Sequence, residues 1–369
     1  LLCENARVKS LAAYGLESND KLVSPAGALL RYVSETSKSV LSHLTDYKVD
    51  KEEAYVSMDE SSRKNLELFS SLFDGSSRYS LFDTINRTRT SGGSRLLRSW
   101  IAFPLRDLEQ IRFRQGWVKS FVDDNGELSR VREALGCAMD LNRLVTRVLL
   151  KKAVPHDLVA IKQTIGAFFS LLSKQPEKYL TLLEPSVTRE VLSSCAQLMT
   201  TIDNAINDQC LGQFQEGQVI KEGYDQDLDS KRKLRDNGDN VLKDYLEQVK
   251  IESGLTILKL GYNRVFGYYL EVPKGQLSKV PTYFLRKQTV VKGERFTTEQ
   301  LIAYEKDILQ ANAYSEQRER YLYEAILASV LELGPSLNAI GHFLNNIDVY
   351  QSLASLAIEC SYCCPTMCQ

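Results

Sequence analysis

No run of about 18 apolar residues, the length that begins to span a bilayer, occurs in the 369 residues. The first twenty, LLCENARVKSLAAYGLESND, lack the basic-then-apolar order of a secretory leader. These absences argue against a membrane helix or a leader within these residues, and the chain is expected to be soluble and intracellular. Histidine is scarce: His43, His156 and His342 are scattered and have no serine or cysteine at a suggestive spacing, which argues against a hydrolytic triad. No G-x-x-x-x-G-K-[ST] loop occurs, so the cradling and hydrolysis of a nucleotide's phosphates are not expected here. Cysteines number eight, and Cys3, Cys137, Cys195 and Cys210 lie far apart, which reads as buried free thiols. Cys360, Cys363, Cys364 and Cys368 hold one C-x-x-C without a second ligand pair across a loop, so no metal site is expected.

What is present is ordinary globular composition, with 43% apolar residues and a net charge of −1. The length suits two or three domains, and the near-zero charge excludes a uniformly basic nucleic-acid binder while leaving room for a local patch. Because it begins at Leu1 and ends on Gln369 just after Pro365, the chain reads as a piece of something longer.

Helical periodicity dominates. Leu29, Leu30, Val33, Val40, Leu41 and Leu44 recur at helical spacing and predict a helix over Ala28 to Leu44. Asp59 offers an N-cap to a helix over Met58 to Phe73, broken at Gly75. Further helices are expected over Gly93 to Phe103, stopped by Pro104, then Leu108 to Val122, Glu127 to Leu150, Pro155 to Ser173 and Pro185 to Asn207. There is no βαβ alternation and no internal repeat. Ser91, Gly92, Gly93, Ser94 and Arg95 resemble a phosphate loop, but their spacing fits no nucleotide fingerprint and reads as a structural helix start.

Two charged segments with narrow apolar stripes, Asp227 to Val249 and Glu299 to Leu333, predict long exposed helices, each reaching about 35 to 50 Å. Between them the period changes to two: strands are expected over Thr256 to Tyr262, Gly267 to Val272 and Tyr283 to Val291, with a hairpin loop over Asn263 to Gly267. The fold class is therefore mainly α, a helical core with a small antiparallel β module inserted at the tip of two long helices. A small sheet on long arms is expected to make few tertiary contacts.

The module from Leu255 to Phe296 carries Lys259, Arg264, Lys274, Lys279, Arg286, Lys287, Lys292 and Arg295 against Glu271 and Glu294, a net of +6 in a chain of −1. A basic module held out on acidic arms suits a polyanion. Its aromatics read as packing for a small sheet rather than as base-stacking platforms.

The stretches LKLGYNRVFGYYLEV from Leu258 and VPTYFLRKQTVVKGERFTTEQLIAYE from Val280 closely resemble the clamp of bacterial MutS mismatch-repair proteins. Upstream, MDESSRKNLELF, SLFDTINRTRTSGGSRLLRSWIAFPLRD, DLNRLVTRV, VPHDL and GQVIKEGYDQDLD resemble the family's core and lever signatures in their usual order, and the resemblance covers about Ala28 to Pro365. It implies a connector remnant at 1–26, a helical core at 27–226, a first lever helix at 227–254, a clamp at 255–296, a returning lever at 297–345 and a core end at 346–369.

It further implies a part that is not itself an enzyme, whose clamp holds duplex DNA, mismatched DNA included, by its backbone. The parent would be a homodimeric DNA-dependent ATPase with ATP and Mg in a domain outside these residues, a MutL-type partner, no membrane, and a bacterial cytoplasmic, nucleoid-associated location. Carried over by position, DNA contacts fall on Asn263, Arg264 and Val265 at the hairpin tip and on Lys292 and Gly293 at a neighbouring turn, with Arg286, Lys287 and Thr289 as further candidates. Where the family commonly reads Lys-Asn-Ala before Glu-Arg, this chain has only Lys292-Gly293, which removes an amide donor. The alternatives are a helical scaffold whose sheet binds an acidic protein, and a MutS paralogue acting in recombination, a branch that usually lacks a clamp.

Overall fold

Asp59, Ser80, Asp124, Asp140, Thr188, Asp225 and Thr298 each accept a hydrogen bond from the backbone N–H three residues on, and each starts a helix. A side-chain oxygen there satisfies one of the four N–H groups that a helix leaves open at its start. The computed structural model describes residues 1–368 apart from 7, 9, 15, 17–20, 38–53, 211, 216, 264–266 and 291, and leaves aside the side chains of 13, 37, 235 and 237–239. Among the described residues the result is mainly helical with a small antiparallel sheet, the fold class that the periodicities predict, and the sheet has four strands.

The described residues form two compact units. The first takes in Leu1–Asn86, Leu97–Asp123 and Leu356–Gln369. It holds α1 (Leu2–Asn5), α2 (Val23–Ser37), α3 (Glu60–Asn65), α4 (Leu81–Ile85), the later part of α5 (Ser91–Ala102), and α6 (Leu108–Asp123). The helix expected over Ala28 to Leu44 is seen as far as Ser37, and its remainder lies outside the described residues. Pro104 does mark a corner: its carbonyl accepts from Val56 N–H at 2.8 Å beside a short bridge between Tyr55 and Leu105. The helix from Asp59 is shorter than expected. It ends at Asn65 because Glu67 takes a left-handed φ of +47°, which turns Leu68 into the core and leaves Leu72 and Phe73 exposed.

The second unit takes in Arg87–Leu96 and Asp124–Ser355. It comprises α7 (Asn125–Gly136), α8 (Leu141–Leu149), α9 (Pro155–Leu172), α10 (Pro176–Leu180), α11 (Arg189–Ala205), α12 (Gln226–Ser253), the sheet, α13 (Glu299–Glu332) and most of α14 (Gly334–Glu359). The single helix expected over Glu127 to Leu150 is two. Asp140 breaks it, capping α8 through Arg143 N–H while gripping the Arg95 guanidinium at 2.6 and 3.1 Å.

The Ser91–Arg95 segment is structural in its surroundings. Asp348 of α14, fully buried, accepts from Arg89 N–H (2.8 Å), Thr90 N–H (2.7 Å), the Thr90 hydroxyl (2.6 Å) and the Gln351 amide (2.6 Å). A side chain on Gly93 would collide with that carboxylate, so the helix start is filled from within the fold. Burial pushes the Asp348 carboxyl above its ordinary range, and these four donors oppose the rise.

The thiols depart from expectation. Among the spread cysteines only Cys195 is buried, its pKa pushed up to about 11 by loss of solvent; Cys3 and Cys210 are half-buried and Cys137 is exposed. Helical periodicity places a residue on a face without saying whether a second element covers that face.

α12 and α13 run side by side as a pair of arms and carry between them β1 (Lys259–Asn263), β2 (Gly267–Pro273), β3 (Leu285–Val290) and β4 (Gly293–Thr297), in the order β1-β2-β4-β3. β4 is a strand that the periodicities do not predict; it pairs β2 with Leu270 opposite Phe296 and Pro273 opposite Gly293. The expectation of few tertiary contacts fails. Leu270, Val272 and Phe296 face an apolar cluster with Leu242, Tyr245 and Val249 of α12 and Leu301 of α13, joined by Leu255, Leu258 and Phe284. Phe284 and Phe296 are thereby packing residues, whereas Tyr262 and Tyr283 remain half exposed.

Truncating Leu270 to alanine should cost about 2–5 kcal/mol, the range for a fully buried leucine. Hydrogen exchange should then show amides of β2 and β4 losing protection while those of α9 keep theirs; uniform loss across both would mean that the sheet and the helical bundle unfold as one.

Candidate nucleic-acid interface

Alternation along β2 and β4 gives the sheet one apolar face and one polar face. Opposite the buried Leu270 and Val272 stand Tyr269 and Glu271, with Arg295 of β4 directly across from Glu271. The Tyr269 ring covers Gly261 of β1 so closely that a Cβ there would lie 2.5 Å from a ring carbon. The Arg295 guanidinium sits 4.3 Å from the centre of that ring and reaches Glu271 (3.3 Å) and Gln288 (3.1 Å). Tyrosine and arginine thus fill the space left by the missing glycine side chain.

A second pair closes at the other edge. Arg286 of β3 donates to Glu294 at 2.9 Å and to Thr289 at 2.6 Å. The module's two carboxylates are each held by an arginine of the same sheet. Its net +6 therefore rests on Arg264 and five lysines, 259, 274, 279, 287 and 292. All five lysines are exposed, and none enters an ion pair among the described residues.

The candidate contact residues fall as follows. Asn263 closes β1 opposite Gly267, whose φ of +75° and contact with the Glu305 carboxylate leave no space for a side chain. Arg264 and Val265 lie outside the described residues. Lys287 is the extra residue where the β3–β4 register slips between Arg286 and Gln288, on the sheet's outer strand. A bulge carrying a lysine keeps that edge from pairing with another strand and turns the side chain outward. Arg286 is tied to the Glu294 carboxylate and to the Thr289 hydroxyl, which leaves less of the hydrogen-bonding capacity of Arg286 and Thr289 for a ligand.

Lys292 is exposed at the β3–β4 turn, and its carbonyl accepts from Lys274 N–H at 3.4 Å, which brings two lysines to one corner. Gly293 belongs to β4 rather than to the turn; it is buried, and a Cβ on it would lie 2.3 Å from the Val272 carbonyl oxygen.

The two turns are not neighbours. Asn263 meets the first residue of β2 and Gly293 meets the last, so the hairpin tip and the Lys292 turn stand at opposite ends of that strand. Six residues separate those ends, about 20 Å at 3.3 Å per residue. Composition counts Lys274 in the basic charge but does not place it beside Lys292, because that needs the pairing of Pro273 with Gly293. No group of three or more histidine, cysteine or acidic side chains that could hold a metal occurs among the described residues.

The family model for MutS domain III matches residues 61–354, a stretch that takes in both arms and the whole sheet. The chain belongs to the MutS family. It is 32% identical over 367 residues to the DNA mismatch repair protein MutS of Treponema denticola, covering 100% of this chain and 41% of that protein. Against the proteins of the same name from Treponema pallidum and Rhodopirellula baltica it is 34% identical, covering 96% and 99% of this chain and 39% and 41% of theirs. The chain spans about two-fifths of the length of these relatives. No helix among the described residues is long and apolar enough to cross a membrane.

The geometry separates two roles at one turn. Gly293→Ala should destabilise the sheet by about 1–3 kcal/mol, because its new Cβ meets backbone. Lys292→Ala should change stability by less than about 0.5 kcal/mol, as a surface substitution. Urea titration of both variants checks this; equal losses would place the Lys292 side chain within the packing.

Proposed function

We propose that these residues are the DNA-holding part of a mismatch-repair protein, gripping the duplex by its phosphates rather than reading its bases. The observation that carries the reading is the division of labour in the sheet: one face is buried on the arms, the two acids are neutralised by Arg286 and Arg295, and five lysines outside any ion pair among the described residues are open to solvent. Lysines without a planar hydrogen-bonding partner act as mobile point charges, which suits phosphate and carries no sequence information.

The candidate contacts are Asn263, Arg264, Val265, Lys287 and Lys292, with Lys274 beside Lys292. Gly293 contributes through backbone shape, Arg286 through pairing with Glu294, and Thr289 through accepting from Arg286. Two contact points about 20 Å apart correspond to roughly six base pairs at 3.4 Å per step along one strand. A grip at two separated points fixes the module's orientation on the duplex better than a single cluster does.

On the same reading the arms couple the sheet to an ATP-hydrolysing, Mg-dependent domain in the rest of the parent protein, and these residues supply no catalytic step. The parent works as a homodimer that surrounds DNA, mismatched DNA included, in the bacterial cytoplasm and nucleoid, with a MutL-type partner. A second subunit raises the effective concentration of the first sheet at the duplex, so one copy alone binds weakly.

The test is fluorescence anisotropy of a labelled duplex across about 50 to 200 mM salt, with Arg264→Glu/Lys292→Glu for comparison. The expected result is a linear fall of log affinity with log salt, its slope reduced by about 0.9 for each phosphate that the variant no longer neutralises. Salt-independent binding, or a variant with the parent slope, would overturn the reading. A helical scaffold whose sheet holds an acidic protein would give no salt-dependent duplex binding at all.

A further inference from the structure

Glu319 lies in the middle of α13 and is 1% exposed. Its carboxylate accepts from the backbone N–H groups of Gly217, Val219 (2.9 Å) and Ile220 (3.0 Å) and from the Arg232 guanidinium of α12 (2.8 Å). Arg232 also donates to the Ile220 carbonyl at 3.0 Å, so loop, α12 and α13 close into one ring of hydrogen bonds. A buried carboxylate that loses water needs this number of donors to be tolerated, and each donor comes from outside its own helix.

The loop so gripped is itself fastened to the helical bundle. Val219 carbonyl accepts from Asn207 N–H (2.9 Å), Lys221 N–H donates to the Ala205 carbonyl (2.8 Å), and Ile206 and Ile220 form a bridge, all at the end of α11. α11 packs on α9 through fully buried side chains such as Ile202 and Ile165. Next to Glu319, Arg318 reaches Asp225, the N-cap of α12, at 2.7 Å. One turn further, Tyr323 donates to the Ala153 carbonyl at 3.2 Å. α12, α13 and the end of α11 are thus locked together within one turn of helix.

We infer that Glu319 is the positioning residue that sets the angle at which the α12–α13 pair leaves the helical bundle, and so where the lysine-bearing sheet stands. The twenty residues from Glu319 back to Glu299 span about 30 Å at 1.5 Å per residue, so a change of about 10° at the base moves the sheet end by roughly 5 Å. That displacement is comparable to the spacing between adjacent phosphates, so the stance of the arms decides which phosphates the sheet meets. The consequence for DNA rests on the DNA-holding function proposed above; the effect on arm angle does not.

The experiment is pulsed dipolar spectroscopy on the whole chain, with bio-orthogonal spin labels at Gln197 of α11 and Lys243 of α12, both exposed. Glu319→Gln presents an amide N–H to groups that are themselves donors, and should at least double the width of the distance distribution. Arg232→Met leaves the three backbone donors in place, keeps the fold, and should broaden the distribution less. Circular dichroism identifies any variant that does not fold, and if Glu319→Gln is one, Arg232→Met decides.

Distance distributions that superimpose on the parent's, in a folded Glu319→Gln or failing that in Arg232→Met, overturn the inference. In the anisotropy assay Glu319→Gln should weaken duplex binding severalfold with the salt slope unchanged, because it leaves every phosphate-facing cation in place; a flattened slope would instead make Glu319 part of the contact surface and overturn the positioning role. A parent chain that binds no duplex would remove the DNA function while the distance measurement still decides the arm angle.

Discussion

The contact on which the rest of this arrangement depends is the apolar cluster between the sheet and the two arms. A four-stranded sheet is too small to bury two faces, and a pair of exposed helices has only a narrow stripe to offer. Leu270, Val272 and Phe296 on one side and Leu242, Tyr245, Val249 and Leu301 on the other solve both problems at once. With the apolar face spent on the arms, the other face and the turns are free to be polar. Thr298 joins the two systems: it caps α13 and its hydroxyl meets the Tyr245 phenol of α12, so the strand-to-helix transition is fixed to the facing arm.

Buried carboxylates form the second constraint. Glu319, Asp348, Asp140, Asp157 and Glu127 are all buried, and each is supplied with donors: backbone amides for Glu319 and Asp348, Arg95 for Asp140, Arg147 and Val154 N–H for Asp157, and Lys178 and Tyr179 for Glu127. Burying such groups gains little net stability compared with apolar replacements. What they add is direction, since a buried carboxylate with two to four fixed donors is satisfied in only one arrangement of its neighbours. They sit where helices must meet at a set angle, at the start of α5, between α7 and α10, and at the root of the arms.

The arms are legible in the sequence as charged segments of more than twenty residues with a narrow apolar stripe, although Leu234, Val241 and Tyr321 stand exposed and Leu242 is buried. The first two strands are legible by alternation on either side of Asn263 to Gly267. β4 is hidden because Gly293-Glu294-Arg295-Phe296-Thr297 carries only one large apolar residue, and it becomes a strand by pairing on both sides. The break between α7 and α8 is hidden for a related reason. Asp140 reads as one polar residue on a helix until Arg95, forty-five positions earlier, is seen to hold it. Of the candidate interface, the excess of positive charge is plain from composition, but its distribution is not. Which cations the two acids consume depends on a register that includes the slip at Lys287, and the separation of the two turns depends on the strand order β1-β2-β4-β3.

That register has a consequence for how charge is presented. Glu271 stands across from both Lys259 of β1 and Arg295 of β4, and it pairs with the arginine. Had Glu271 and Glu294 paired with Lys259 and Lys287, the module would have the same net charge but its mobile cations would be the ones neutralised. The acids are instead matched to arginines, whose planar guanidinium suits fixed, directional pairing, and Arg295 is further immobilised on the Tyr269 ring. Lysines, with longer flexible stems and a single point charge, are left at the surface. A sheet built this way keeps its shape through its buried apolar face and the half-buried Arg295–Glu271 pair, and meets solvent through lysines whose attraction for a polyanion decays over about 10 Å at 0.1 M salt. Raising salt should therefore weaken the grip well before it disturbs the sheet, which separates the force that holds the module together from the force with which it holds its ligand.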